Sequence, residues 1–152
     1  MSEDQAVSFD NRLKIVTEGE FAGWSMWQSD AFEQRAGPFY EKFDVEGRGI
    51  CAFRAEQRHM NGGGFMHGGC LMTFADSAIF TFARDALGNS HAVTVNLSGD
   101  FLDSARVGEL IEARGEVTRA GGKTIFIRGV ATADGRPVLI FTAIIKKIGK
   151  RG

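Results

Sequence analysis

The chain has 152 residues, which sets one domain as the default and lets roughly two-thirds of the unfolded surface be buried. With 43% hydrophobic and 24% charged residues it is globular in composition rather than disordered. A net charge of −1 leaves no basic footprint for nucleic acid, and no apolar run approaches the ~18 residues of a membrane span.

Residues 1–37 read as an N-terminal arm. The first 20 are weakly patterned, and a ragged or short helical segment is expected there. The acidic start Met1-Ser2-Glu3-Asp4-Gln5 has no apolar stretch after it, so no secretory signal is expected. Cys51 and Cys70 are far apart and lack metal-ligand spacing, so they read as reduced, buried small hydrophobes of a cytoplasmic protein. Phe21-Ala-Gly-Trp24-Ser-Met-Trp27 is aromatic without strand alternation. The two Trp rings either cover the edge of a core or wall a ligand entrance.

Asp30-Ala-Phe-Glu33 has the form of a capping box, and Gly37-Pro38 supplies a stop, so a short helix is expected over 31–36. Two apolar runs, about 39–46 and 49–57, flank Glu46-Gly-Arg-Gly49 as a hairpin. A helix then runs from about Gly68 to Leu87, ending at Gly88-Asn89. Leu71, Phe74, Ala75, Ala78, Ile79, Phe82 and Ala83 recur at helical spacing and make a wide apolar stripe, so other structure must wrap this helix.

Four strand-like runs follow, at about 91–102, 109–119, 123–132 and 138–147. In the first, Val93, Val95 and Leu97 share one face while Thr94, Asn96 and Ser98 share the other. Ala120-Gly-Gly122 and Asp134-Gly135 are turn signals. Residues 149–152 read as a basic tail that frays. The pattern predicts an α+β architecture: one long helix against a curled antiparallel sheet of about six strands, filling residues 38–148.

The chemistry-bearing residues cluster at the start of the long helix. Asp76 lies on the shoulder of the apolar stripe, where a partly desolvated carboxylate gains reactivity as a base or nucleophile. The plainer reading is an ion-paired carboxylate at a subunit contact. His67 precedes the helix, and Gly68 and Gly69 leave the first-turn amides uncovered, which suits a developing oxyanion or a polarised carbonyl. The plainer reading is a surface His at a helix start. Asn61 with Gly62–Gly64 reads most simply as a turn.

Taken together, Asn61, then His67-Gly68-Gly69, then Asp76 at the mouth of a buried helix resembles the hotdog-fold acyl-CoA thioesterases of the phenylacetic-acid (PaaI) type. The resemblance covers roughly Phe39 to Lys147. It implies that Asp76 attacks the thioester or activates water, and that the Gly68 amide polarises the carbonyl. It implies that His67 and Asn61 position the thioester or water, and that Thr94 orients water. It places coenzyme A phosphates near the Arg119-Ala-Gly-Gly122-Lys123 turn, whose plainer reading is a basic hairpin tip. It also implies a homodimer, often a dimer of dimers, with the site formed across the dimer interface. No metal and no cofactor beyond the coenzyme A of the substrate are expected, because His67 and Asp76 lack a third ligand at useful spacing.

One departure stands out. Many relatives carry Leu-Arg-Pro where this chain has Leu102-Asp-Ser104, an acid in place of a base at the pocket mouth. That leaves an acyl-carrier thioester open beside an acyl-CoA. Two further readings keep the fold: a hydratase or dehydratase acting on acyl thioesters, and a non-catalytic acyl-CoA-binding protein.

Overall fold

The structure, a computed structural model, describes residues 12–150. The expectations for residues 1–11 and 151–152 lie outside the described residues. The long helix is α2, Gly68–Phe82, and it is wrapped by one antiparallel sheet. This is the α+β hotdog arrangement expected from the sequence, with one correction: the sheet has eight strands rather than about six.

The extra pair is β1, Leu13–Ile15, and β2, Ser25–Trp27, in the N-terminal arm. Their register pairs Leu13 with Trp27, and Ser25 with Glu41 of β3 (Tyr40–Phe43). So the part of the arm expected to be ragged or helical extends the sheet instead. Three residues are too few to display a period of two, which is why the pattern was not visible. The loop between the two strands is held by Phe21, stacked on Tyr40 at 4.2 Å, and by an ion pair from Glu20 to Arg54.

The sheet continues from β3 to β4 (Gly49–Arg54), β6 (Leu110–Ala120), β7 (Thr124–Ala133), β8 (Arg136–Lys150) and finally β5 (Ser90–Phe101), which is the far edge. The β3–β4 and β7–β8 turns fall at the predicted residues. Asp134 and Gly135 both take positive φ, as a two-residue turn between strands requires. β8 pairs with β5 out to Ser90–Lys150, so residues 148–150 belong to a strand rather than a frayed tail.

The short helix α1 spans Ala31–Ala36 as predicted, with Asp30 Oδ1 accepting from Glu33 N at 2.9 Å. Leu71, Phe74, Ala75, Ala78 and Ile79 of α2 are buried. Phe39 and Phe53 meet Phe74 at ring separations of 5.2 and 4.8 Å, making an aromatic centre between helix and sheet. α2 stops at Phe82 rather than running to Leu87. Ala83 takes φ −91° and ψ 5°, and a separate turn, α3, covers Arg84–Leu87. That break turns the Arg84 guanidinium toward the buried Glu41 on β3.

The faces of β5 also differ from expectation. The register shifts between Thr94 and Asn96, so an extra residue bulges there. Val93 and Val95 are consequently exposed, while Thr94 and Leu97 both turn toward the helix layer. Among the described residues, no helix is long and apolar enough to cross a membrane.

Candidate active site

Asp76 lies in the middle of α2 and is half-buried. The Thr94 hydroxyl on β5 donates to Asp76 Oδ1 at 2.7 Å. The strand thus fixes one carboxylate oxygen, and the bulge at Val95 puts Thr94 on the face that can do so. Two cavities meet at Asp76. The larger, about 510 Å³, is walled by rings of Trp27, Phe39, Phe74 and Phe80. The smaller, about 280 Å³, runs between Phe32, Met72 and Leu97. Trp27 therefore walls a cavity, whereas Trp24 packs on Phe21 and under Lys42.

The helix start is built around His67, the residue that caps α2. Its Nδ1 accepts from Gly69 N at 3.0 Å, which assigns the ring proton to Nε2. His67 N in turn donates to His59 O at 2.9 Å. This consumes the Gly69 amide and leaves the Gly68 N–H without an acceptor among the described residues. An unpaired first-turn amide with the helix dipole behind it is a ready donor to an oxyanion. The glycines matter sterically. A Cβ at Gly69 would lie 3.1 Å from His67 Nδ1, and one at Gly68 would lie 3.1 Å from Cζ of Phe101.

Asn61 is engaged locally. Its Oδ1 accepts from Gly63 N at 2.9 Å and Phe65 N at 3.2 Å, so the side chain closes the glycine loop. That loop is tied to the body by Met66 N donating to Ala105 O at 2.7 Å.

Asp76 and Gly68 do not converge within one chain. They stand eight positions apart on the helix, roughly 12 Å at the rise of an α-helix, whereas one reacting carbonyl needs both groups within roughly 3 Å. The Arg119–Lys123 turn lies at the Asp76 end of the sheet. Thr124 pairs with Lys146, which pairs with Val93, next to Thr94. Arg119 and Gly122 line an open cavity of about 650 Å³ there, and Lys123 is exposed beside it. The acid in the Leu102-Asp-Ser104 departure is paired: Asp103 meets Arg136 at 2.7 Å, and the same Arg136 also pairs with Glu109 at 3.2 Å and bonds Ser104 O.

Two polar groups near the site escaped the sequence reading. Glu33 was expected to complete a capping box, but only the Asp30 half forms. The Glu33 carboxyl turns inward, and its burial, with Asp30 and Glu41 nearby, pushes its pKa up to about 8. His59 is buried, with Nδ1 accepting from Glu56 N and Nε2 donating to Ala36 O at 2.7 Å; burial lowers its pKa.

Comparison with known proteins places this arrangement. The thioesterase superfamily matches residues 63–140, which hold the helix start, Asp76 and Thr94. A curated relative from Pseudomonas aeruginosa, named "Putative esterase PA0474", is 33% identical over 104 residues, 66% of this chain and 76% of that protein. The E. coli PaaI protein of the phenylacetic acid degradation operon superposes with a TM-score of 0.72 at 22% identity, covering 81% of this chain and 88% of its own. A mutant PaaI from Thermus thermophilus gives 0.68 at 26% identity, over 78% and 100%. A Streptococcus mutans protein solved with acetyl CoA gives 0.65 at 24%, over 73% and 88%. The chain belongs to the thioesterase superfamily, with its hotdog fold.

Proposed function

We propose that this protein is an acyl-CoA thioesterase, hydrolysing an acyl-CoA to the free acid and coenzyme A. The Gly68 N–H polarises the thioester carbonyl, with His67 and the Asn61 loop shaping its approach. Asp76, held at one oxygen by Thr94, uses the other to activate water or to attack the carbonyl carbon. Water supplies the hydroxyl of the acid, the C–S bond breaks, and the thiolate leaves as coenzyme A. The observation that carries this reading is an anchored, half-buried carboxylate on the same helix as an unpaired N-terminal amide.

Because these two groups stand roughly 12 Å apart along the helix, the working site joins Asp76 of one copy to Gly68 of a second. An open edge supports that assembly. β5 has 12 residues, ends the sheet, and exposes Val93, Val95 and Phe101. A homodimer, or a dimer of dimers, is therefore the proposed functional form. Arg119, Gly122 and Lys123 take the coenzyme A phosphates. The chemistry needs no metal and no cofactor beyond the substrate's coenzyme A, and the proposed place of action is the cytoplasm.

The test is a panel of acyl-CoAs with a thiol-trapping dye. Thiol release with at least one of them is expected. Loss of crotonyl-CoA absorbance without thiol release would make the protein a hydratase instead. Calorimetric binding without turnover would make it a non-catalytic binder.

A further inference from the structure

α1 is fastened to the start of α2 by its own last carbonyls, which a helix end leaves without partners inside the helix. Arg58 donates through its two Nη atoms to Arg35 O and Gly37 O, and His59 Nε2 donates to Ala36 O at 2.7 Å. His59 O in turn accepts from His67 N at 2.9 Å. Phe32 and Arg35 lie three residues apart on α1 and so share one face of it. Between that face and the helix start is a further cavity of about 430 Å³. Phe32, Met60 and Cys70 give it apolar walls, and His67 and Gly69 border it.

The charges on this wall have one sign. Among the described residues, Arg35 and Arg58 line the cavity and no carboxylate does. Both imidazoles are neutral, because His59 Nδ1 and His67 Nδ1 accept from backbone amides. Arg58 has its donors engaged, on the two carbonyls and on Glu56 at 2.6 Å. Arg35 is half-buried and makes no ion pair or side-chain hydrogen bond among the described residues. A guanidinium partly out of water with nothing to pair with is poised for an anion. Three residues before it, the Phe32 ring is 66% exposed over the same cavity, an apolar surface that a chain of methylenes would cover.

We propose that this cavity receives the acyl group, and that Phe32 and Arg35 select an acyl chain ending in a second carboxylate, the monothioester of a dicarboxylic acid. The inference rests on the thioesterase reading and names its substrate class. In that reading coenzyme A runs toward Arg119–Lys123 of the copy that supplies Asp76. The acyl group therefore leaves the carbonyl on the other side, into the copy that supplies Gly68, whose neighbours His67 and Gly69 border the cavity. At roughly 30 Å³ for each water-sized group, 430 Å³ holds about a dozen heavy atoms, enough for a chain of about six carbons with a polar end. Phe32 and Met60 cover the methylenes, and the planar Arg35 fork meets the far carboxylate.

Succinyl-, glutaryl- and adipyl-CoA are each compared with the unbranched monoacyl-CoA of equal carbon number: butyryl-, pentanoyl- and hexanoyl-CoA. Wild type, Arg35→Met, Arg35→Lys and Phe32→Ala are assayed for kcat and KM on each pair. Wild type should favour at least one dicarboxylic substrate over its partner by about tenfold or more in kcat/KM. Arg35→Met should lower that ratio about 10–100-fold, mainly through KM, and Arg35→Lys should keep part of it. Phe32→Ala should raise KM severalfold for both members of the favoured pair. Arg35 has no side-chain partner to lose, so its variants should melt close to wild type, which separates selectivity from folding. Equal or greater kcat/KM for the monoacyl partner in all three pairs overturns the proposal, and so does a ratio that Arg35→Met leaves intact. If wild type turns over none of the six, the thioesterase reading fails and calorimetry decides the pocket. Tighter binding of a dicarboxylic thioester than of its partner, lost in Arg35→Met, upholds it; equal binding overturns it.

Discussion

Replacing Arg84 by Met tests the joint between the central helix and the sheet. Glu41 on β3 is 4% exposed. Its oxygens accept from Arg84 Nη1 at 2.6 Å and Nη2 at 2.9 Å, and from the Thr81 hydroxyl at 2.5 Å. The guanidinium also lies over the rings of Phe43, at 5.1 Å, and Trp27, at 5.6 Å. Met keeps the length and the apolar stem but strands a buried carboxylate with one hydroxyl. Removing one partner of a buried pair costs about 3–5 kcal/mol. The Arg84 side chain is 24% exposed, so water relieves part of this, and a loss of about 2–4 kcal/mol is expected. Urea unfolding near neutral pH measures it, with an unchanged slope showing that the same surface unfolds. Adding Glu41→Gln to Arg84→Met should recover more than half of the loss, because no buried charge then remains. A single-variant loss below about 1 kcal/mol, or a double variant no better than the single, would refute the reasoning.

Three further outcomes are expected. Thr94→Val removes the donor to Asp76 Oδ1, and a hydrogen bond to a charged group is worth about 1.5–3 kcal/mol, so kcat should fall roughly 10–100-fold while KM changes little. Gly129→Ala puts a methyl 2.4 Å from Cζ of Phe141 and 3.0 Å from the carbonyl oxygen of Arg114, which should cost about 1–3 kcal/mol in denaturant unfolding; the loss should shrink in a Phe141→Ala background. Gly68→Val covers the free amide, and Asp76→Ala removes the carboxylate. Each alone should be inactive, yet a mixture refolded together should regain up to about a quarter of wild-type turnover if sites are shared between copies. No recovery despite mixed dimers would place the site within one chain.

Much of the fold was legible because the relevant signals are long and periodic. The α2 stripe from Leu71 to Ile79 is buried as its spacing requires, and β6, β7 and β8 lie within a few residues of their predicted bounds. What stayed hidden depends on tertiary contact. β1 and β2 are each three residues long and exist only because β3 offers an edge. The bulge beside Val95 carries no residue signal, yet it decides that Thr94 rather than Val93 faces Asp76. At the site, the family resemblance gave Thr94 the orienting of water, and its hydrogen bond to Asp76 was not read from the sequence. The inward turn of Glu33 was not anticipated either, since local capping rules carry no information on how α1 packs against α2. The pairing of Asp103 stayed hidden because its partner Arg136 arrives from another strand.

The most direct test of the central claim is thiol release by Asp76→Ala, measured beside wild type on the acyl-CoA that wild type turns over fastest, with binding followed by calorimetry. The account predicts at least about a 100-fold loss of kcat with binding of the acyl-CoA retained. Turnover equal to wild type in the folded variant would contradict it.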